Sequence, residues 1–398
     1  MFCPIRAPSP TRFRMISDKR HIAVALAGAG AFLNLYAPQA VLPLLAREFN
    51  VAPADISLIM TASTLSIALT APFTGTIADV LGRKRVITVA IIALIVPTIM
   101  VAFSTSLEAM IFWRFVQGLL LPPIFAVIIA YIGDEWPAVE ATGVTGIYVS
   151  ASGMGGFLGR FVTGLLADSV GWREAFLADA ALTAICAIGV IVLLPRERQF
   201  VRATNFRASA RQMLRHFRNP QLVATYAVGF GVLFNFIATF TYVNFLLAAP
   251  PFNLSATFLG SIFIVYLLGT AITPLTGRGV QRFGRRYLVI GAILVWAGAI
   301  LLTLVPSLPV IIIGLAIAAA CGFLCQASST SYVAVSVKQG VSSAVGLYVT
   351  FFYAGGSVGA LLPGLAWQSG GWPGAVAMVL AMLAVMGLIV AATWRRDE

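Results

Sequence analysis

Two arginines stand where an arginine is costly. Arg114 and Arg160 each fall inside an apolar run long enough to cross a bilayer. A charged side chain at the centre of such a helix costs roughly 2.5–3.5 kcal/mol on insertion scales, so it is a candidate for function by default. Two chemistries fit. A guanidinium can hold a negatively charged substrate, or it can face an acid that exchanges a proton. The acids within reach in sequence are Asp179, Asp55 and Glu108. Asp179 is the preferred one, because a carboxyl held against an arginine away from water can exchange a proton for substrate. The plainer alternative is a structural ion pair. Gln117 lies three residues beyond Arg114 and joins this set.

The remaining chemistry is uncharged. Between Glu197 and Asp397 there is no Asp or Glu, which excludes carboxylate-based proton coupling from that part of the chain. His21 and His216 fall at loop edges, so histidine coupling inside the apolar runs is not expected either. Candidate cavity residues are Asn34, Tyr36, Gln39, Tyr148, Asn235, Tyr266, Gln326 and Tyr348. No nucleophile–base set, phosphate-binding loop or metal-ligand cluster is present, so neither an enzyme nor a cofactor or metal is expected. Cys321 and Cys325 sit one helical turn apart without His or carboxylate partners, which reads as packing.

The elements that hold these residues follow from composition. The chain has 398 residues, 60% hydrophobic and 10% charged, against roughly a quarter charged in a soluble domain. Lipid is the solvent that suits it. Apolar runs cover 22–45, 56–78, 86–103, 109–132, 143–166, 175–194, 221–247, 257–276, 287–305, 309–334, 343–366 and 374–394. The expected fold is therefore all-α, with twelve transmembrane helices in two six-helix lobes. The lobes are 21–194 and 221–394, joined by a cytoplasmic loop 195–220 and flanked by cytoplasmic tails 1–20 and 395–398. The run from Ile22 is too long for a signal peptide and is read as the retained first span.

The +12 charge of the chain supports this topology. Of the 26 basic residues, only Arg47 and Arg173 fall in the opposite loops, and only Arg114 and Arg160 within the runs. The others gather in alternate loops and the tails, as the positive-inside rule requires for an even helix count with both termini cytoplasmic. Their expected partner is anionic lipid rather than nucleic acid. Arg207, Arg211, Arg215 and Arg218 share one helical face, which allows a basic interfacial helix in the central loop.

An internal repeat divides the chain. Residues 146–172 and 346–372 align without a gap, pairing Gly146/Gly346, Tyr148/Tyr348, Gly155/Gly355, Gly156/Gly356, Gly159/Gly359, Gly164/Gly364, Gly171/Gly371 and Trp172/Trp372. Gly75 to Lys84 is echoed by Gly277 to Arg286, with Gln281 in place of Asp79. Arg160 aligns with Ala360, so the fold does not need its charge. Parallel repeats of this kind place a binding site between the halves.

These motifs resemble the major facilitator superfamily. Gly75, Asp79, Gly82, Arg83 and Lys84 match that family's G-x-x-x-D-x-x-G-R-K motif between the second and third helices. Arg114, Gln117 and Gly118 match the R-x-x-Q-G motif of many proton-coupled exporters. The pattern at Gly155, Gly156, Gly159 and Arg160 is similar to a branch of bacterial inner-membrane exporters, the YnfM-like proteins. The fifth run lacks the Gly-Pro of drug/proton antiporters. The first offers Asn34, Tyr36 and Gln39 where many of them carry a carboxylate. The resemblance implies a monomeric secondary transporter of the bacterial inner membrane, working by alternating access. Proton-coupled export of small organic or amphipathic molecules is the leading expectation. The alternative is uptake or exchange of an organic anion held by Arg114 and Arg160. A receptor or scaffold on the same fold is a third, distant reading. By the same resemblance, Asp79 and Arg83 form a conformational gate. Asp79 would latch onto the helix that begins near Ser342–Ser343, and Arg83 to Arg85 would meet Asp134, Glu135 or Glu140.

Overall fold

The computed structural model describes residues 19–197, 215–337 and 341–394. Among these every regular element is a helix. The first half contains α1 (Lys19–Tyr36), a 3-10 turn (Ala37–Ala40), α2 (Leu42–Glu48), α3 (Pro53–Ile56), α4 (Leu58–Leu81), α5 (Arg83–Ala102), α6 (Leu107–Leu120), α7 (Pro122–Glu135), α8 (Ala138–Ser169) and α9 (Trp172–Leu193). The second contains α10 (Pro220–Ala248), α11 (Ala256–Ile262), α12 (Val265–Ile272), α13 (Thr276–Phe283), α14 (Arg285–Leu302), α15 (Leu308–Val335) and α16 (Val341–Thr393). The tail before Lys19, Arg207, Arg211, Lys338 and the terminal Arg395 and Arg396 lie outside the described residues.

All twelve apolar runs are helical, with differences that have local causes. The first run is interrupted at Ala37–Ala40 around Pro38. The eighth is divided into α11, α12 and α13 around a second 3-10 turn at Thr273–Leu275. The last two are joined in α16 but meet at Gly371, whose φ of 57° and ψ of −144° break the helix. Nine segments among the described residues are long and apolar enough to cross a membrane, with α16 taken as one. The segment α8 is long enough, but its many Gly, Ser and Thr residues dilute its hydropathy.

The sequence repeat is also a repeat of contacts. A Cβ on Gly155 would lie 2.3 Å from Ala29 O, and one on Gly355 would lie 1.9 Å from Phe230 O. Gly159 meets Leu33 as Gly359 meets Phe234, and Tyr148 covers Gly28 as Tyr348 covers Gly229. Both halves thus press a glycine-bearing helix against their first helix at backbone distance, which only small residues permit. Turns repeat too. Gly82 (φ 91°) and Gly284 (φ 75°) sit in equivalent corners, as do Gly171 (φ 115°) and Gly371 (φ 57°). That left-handed region is where glycine has no steric penalty.

The bundle has two unlike ends. One carries the starts of α1, α5 and α14 and most of the described loop arginines; it is the basic end. At the other, the halves meet closely. Gly164 abuts Ala256 O and Gly364 abuts Ala54, a pair of contacts related by the repeat. Thr61 donates to Ser357 O at 3.2 Å, and Ser357 donates to Thr64 at 3.0 Å. This is the sealed end.

Candidate functional site

Pro38 sets the first polar centre. A helical carbonyl accepts from the N–H four residues on, and proline has none. Asn34 O therefore lacks its helical donor. Arg114 supplies one: its Nη1 donates to Asn34 O at 2.9 Å and its Nη2 to Leu35 O at 2.7 Å. Nη1 also donates to Gln117 Oε1 at 2.7 Å, and Nε makes a long contact of 3.5 Å to Ile59 O. From Gln117 the network runs on through side chains. Gln117 Nε2 donates to Thr98 at 2.9 Å, Thr98 to Asn34 Oδ1 at 2.6 Å, and Asn34 Nδ2 to Thr183 at 2.5 Å. Arg114, Gln117, Asn34, Thr98 and Thr183 are all buried. The expected ion pair is absent, because freed carbonyls and an amide already occupy the guanidinium.

Asp179 makes no direct hydrogen bond or close ion pair with either arginine, although it lies within electrostatic reach of Arg114. Its Oδ2 accepts from Thr163 at 3.0 Å, and its buried Oδ1 has no hydrogen-bond partner. Thr163 is three residues beyond Arg160 on α8, so one helix carries both.

Arg160 forms the second polar centre. Its Nε and Nη2 donate to Gln39 Oε1 at 2.9 and 2.7 Å, and its Nη1 to Gly156 O at 2.8 Å. A guanidinium has five N–H donors, so two are left over. The charge lies 4.1 Å from the centre of the Tyr36 ring, 4.2 Å from Phe263 and 5.1 Å from Tyr266. Cation–π contacts of desolvated charges are worth about 2 kcal/mol, but they supply no negative charge to neutralise it. Among the described residues no carboxylate pairs with it.

Arg160 borders a cavity of about 550 Å³ between the halves. Tyr36, Tyr148, Tyr266 and Gln326 line it, as expected from the sequence. Phe32, Phe236, Phe323 and Phe352 supply most of the apolar wall, with Ser152 and Thr330 as further polar groups. Four expected lining residues lie elsewhere. Asn34 belongs to the Arg114 network. Gln39 is buried behind Arg160 in the seam between the halves. Asn235 is inside the second half, 3.3 Å from the Met386 sulfur. Tyr348 is turned to Ser329, at 2.8 Å. Side chains long enough to line a cavity were legible in the sequence, but which helix face they occupy was not.

The gate motif is at the basic end. Arg83 pairs with Asp134 at 2.5 Å and with Asp79 at 3.7 Å, and it donates to Ala130 O. Asp79 is 42% exposed. Lys84 donates its backbone N–H to Glu197 at 3.3 Å. Arg285 repeats the Arg83 contact in the second half, donating to Ser328 O at 2.6 Å. The motif arginine thus ties a corner to a neighbouring helix in both halves, whereas the acid stands in one. No space is contested at Gly75, where an added Cβ would meet nothing within 4 Å.

The sealed end holds a residue that sequence reasoning missed. Asp168, at the end of α8, accepts from Ala256 N at 3.1 Å, Thr257 N at 2.7 Å and Thr257 Oγ1 at 2.6 Å. It caps a helix of the other half. Arg47 crosses the same seam to Ala248 O at 2.9 Å. The repeat held a signal: Asp168 aligns with the uncharged Gln368. Replacing Asp168 with alanine removes bonds to charge in an exposed setting, about 1–2 kcal/mol in all. The expected result is a roughly tenfold faster reaction of a Leu259→Cys thiol, buried in that seam, with an impermeant maleimide. An unchanged rate would mean that Asp168 does not hold the seam.

Comparison with known proteins fits this geometry. The family model for the Major Facilitator Superfamily matches residues 24–249 and 228–398. The MFS-type transporter YybF of Bacillus subtilis (strain 168) is 31% identical over 383 residues, 96% of this chain and 93% of the relative. The inner membrane transport protein YnfM of Escherichia coli (strain K12) is 29% identical over 377 residues, 94% of this chain and 90% of the relative. A bacterial homologue of the human lysosomal transporter Spinster, solved in an inward-facing and occupied conformation, shares the fold. Its TM-score is 0.77 at 16% identity, over 94% of this chain and 96% of that one. The chain belongs to the major facilitator superfamily: it is a multi-pass membrane transporter, and not an enzyme.

Proposed function

We propose that the chain moves small amphipathic organic molecules bearing an acidic group, with Arg160 as the counter-charge in the central cavity. One observation carries this reading. Arg160 is a buried cation beside a cavity of aromatic walls, with no carboxylate partner among the described residues and two N–H groups to spare. Arg114 is nearly saturated by its four contacts and lies outside the cavity lining. The anion reading therefore rests on Arg160 and not on Arg114.

The positive-inside rule places the basic end in the cytoplasm, and the bacterial inner membrane is the corresponding site. The cavity lining reaches Thr330 and Ser331, close to the basic end of α15. The two halves would rock about the cavity, with Asp79 held by Arg83 while the cavity faces inward. Loading from the cytoplasm agrees with export. Substrate, protons and surrounding lipid are the partners of this cycle, and a monomer suffices for it.

Asp179 favours a proton as the coupling ion. It is a buried carboxyl with one unpartnered oxygen, and Thr163 links it to the helix that bears Arg160. The test is flux of aromatic carboxylates and their neutral alcohol counterparts in proteoliposomes, with and without a pH gradient. Carboxylates are expected to be carried in preference, and faster with the gradient. Asp179→Asn is expected to keep substrate binding within about threefold and to lose the gradient effect, since the amide removes the titrating group and keeps its shape. Undiminished acceleration by the gradient in that variant would exclude Asp179. Equal flux of acid and alcohol would exclude the anion reading.

A further inference from the structure

Gln39 occupies an unusual position for an uncharged side chain. It is fully buried in the 3-10 turn that interrupts the first span. Its single carboxamide oxygen takes two N–H groups of Arg160, at 2.9 and 2.7 Å. The other end of the same carboxamide, Nε2, donates to Thr241 on α10 at 3.0 Å. Its backbone carbonyl accepts from Asn244 Nδ2, also on α10, at 2.7 Å. Arg160 belongs to the first half and α10 to the second. One residue thus joins the cavity's charge to the seam that closes the sealed end.

We propose that Gln39 is a stand-in for the substrate's acidic group, and that its displacement by that group loosens the sealed end. The inference rests on the anion reading of Arg160 above. A neutral amide oxygen is a weaker acceptor for a guanidinium than a carboxylate, because bonds between ionised partners are roughly twice as strong. An anion that binds the two spare N–H groups from the cavity therefore draws the guanidinium toward itself and away from Gln39, the weaker acceptor. Freed from Arg160, the carboxamide is no longer held in line with Thr241. A contact that favours the closed form is lost when the acid binds, and only then. That gives the ligand different affinities for the two forms, which is what shifting a conformational equilibrium requires. A neutral molecule in the same cavity leaves the Arg160–Gln39 bonds in place and the end shut. The residue is a positioning residue: it acts through Arg160 and through the seam.

The experiment uses the full chain in lipid nanodiscs, with 2-naphthoate and 2-naphthylmethanol as probes. Spin labels on Val170→Cys and Phe258→Cys, in a background without other cysteines, report the separation of the sealed end. In the parent, 2-naphthoate is expected to lengthen this distance and the alcohol to leave it unchanged. Gln39→Met keeps the volume and removes the competitor. It is expected to bind 2-naphthoate about tenfold more tightly, on the scale of one hydrogen bond to a charged group, and to populate the longer distance without any ligand. Gln39→Glu installs a permanent acid beside Arg160. It is expected to bind 2-naphthoate at least about tenfold more weakly and to keep the short distance with both probes. A merely structural glutamine predicts weaker binding in both variants. A Met variant that binds 2-naphthoate no more tightly than the parent, or that stays closed when empty, overturns this inference alone. A parent that binds acid and alcohol alike overturns the anion reading, and this inference with it.

Discussion

Arg160→Met is expected to weaken binding of an aromatic carboxylate at least about a hundredfold while leaving its neutral alcohol analogue within about threefold. The size follows from what is lost. Each hydrogen bond to an ionised group is worth roughly 1.5–3 kcal/mol, and the two spare N–H groups of Arg160 would both engage an acid. Calorimetric titration of purified protein with each probe measures the difference directly. A second consequence separates function from structure. Arg160 is a buried cation compensated by an amide, a carbonyl and three rings, not by a carboxylate. Removing the charge relieves its desolvation but leaves the buried Gln39 Oε1 without these donors, at a cost of about 1–3 kcal/mol. The apparent Tm of Arg160→Met is therefore expected to fall by less than that of Arg114→Leu, which orphans more acceptors. Unchanged carboxylate affinity would end the role of Arg160 as counter-charge.

The two arginines show what a sequence can and cannot say. Their cost in an apolar run marked both as special, and the match of Arg160 to Ala360 in the repeat showed that the fold itself does not demand that charge. Nothing in the spacing showed that one is spent on freed carbonyls while the other keeps two N–H groups facing a cavity. The deciding residue was Pro38, four positions after Asn34, which takes away the donor that Asn34 O needs. Helix breaks of this kind are readable in sequence only when one asks where each carbonyl finds its partner. The repeat was more legible. Glycines aligned at an offset of 200 became paired backbone contacts against α1 and α10, because close helix approach tolerates so few residue types. The Asp168 cap was hidden for the opposite reason. It joins residues that are far apart in the chain and in different halves, and no periodicity links them.

The other arginine carries the opposite expectation. Arg114→Leu is expected to destabilise the protein by about 3 kcal/mol or more, and to lower its apparent Tm by roughly 4 °C or more. The variant orphans Asn34 O and Gln117 Oε1 in a buried setting, and it leaves Leu35 O without the 2.7 Å bond it has now. Gln117 is also the hinge of the chain of bonds through Thr98 and Asn34 to Thr183, so the loss spreads across four helices. Selectivity should not follow. The protein that remains folded at low temperature is expected to prefer 2-naphthoate over its alcohol as the parent does, since Arg114 lines no part of the cavity. Fluorescence-detected unfolding in detergent and titration with both probes give the two readouts. Gln117→Leu serves as the calibrating variant: it cuts one side-chain branch and leaves the carbonyl contacts, so its Tm should fall between those of Arg114→Leu and the parent. A stable Arg114→Leu protein that no longer distinguishes acid from alcohol would reverse the assignment and make Arg114 the counter-charge.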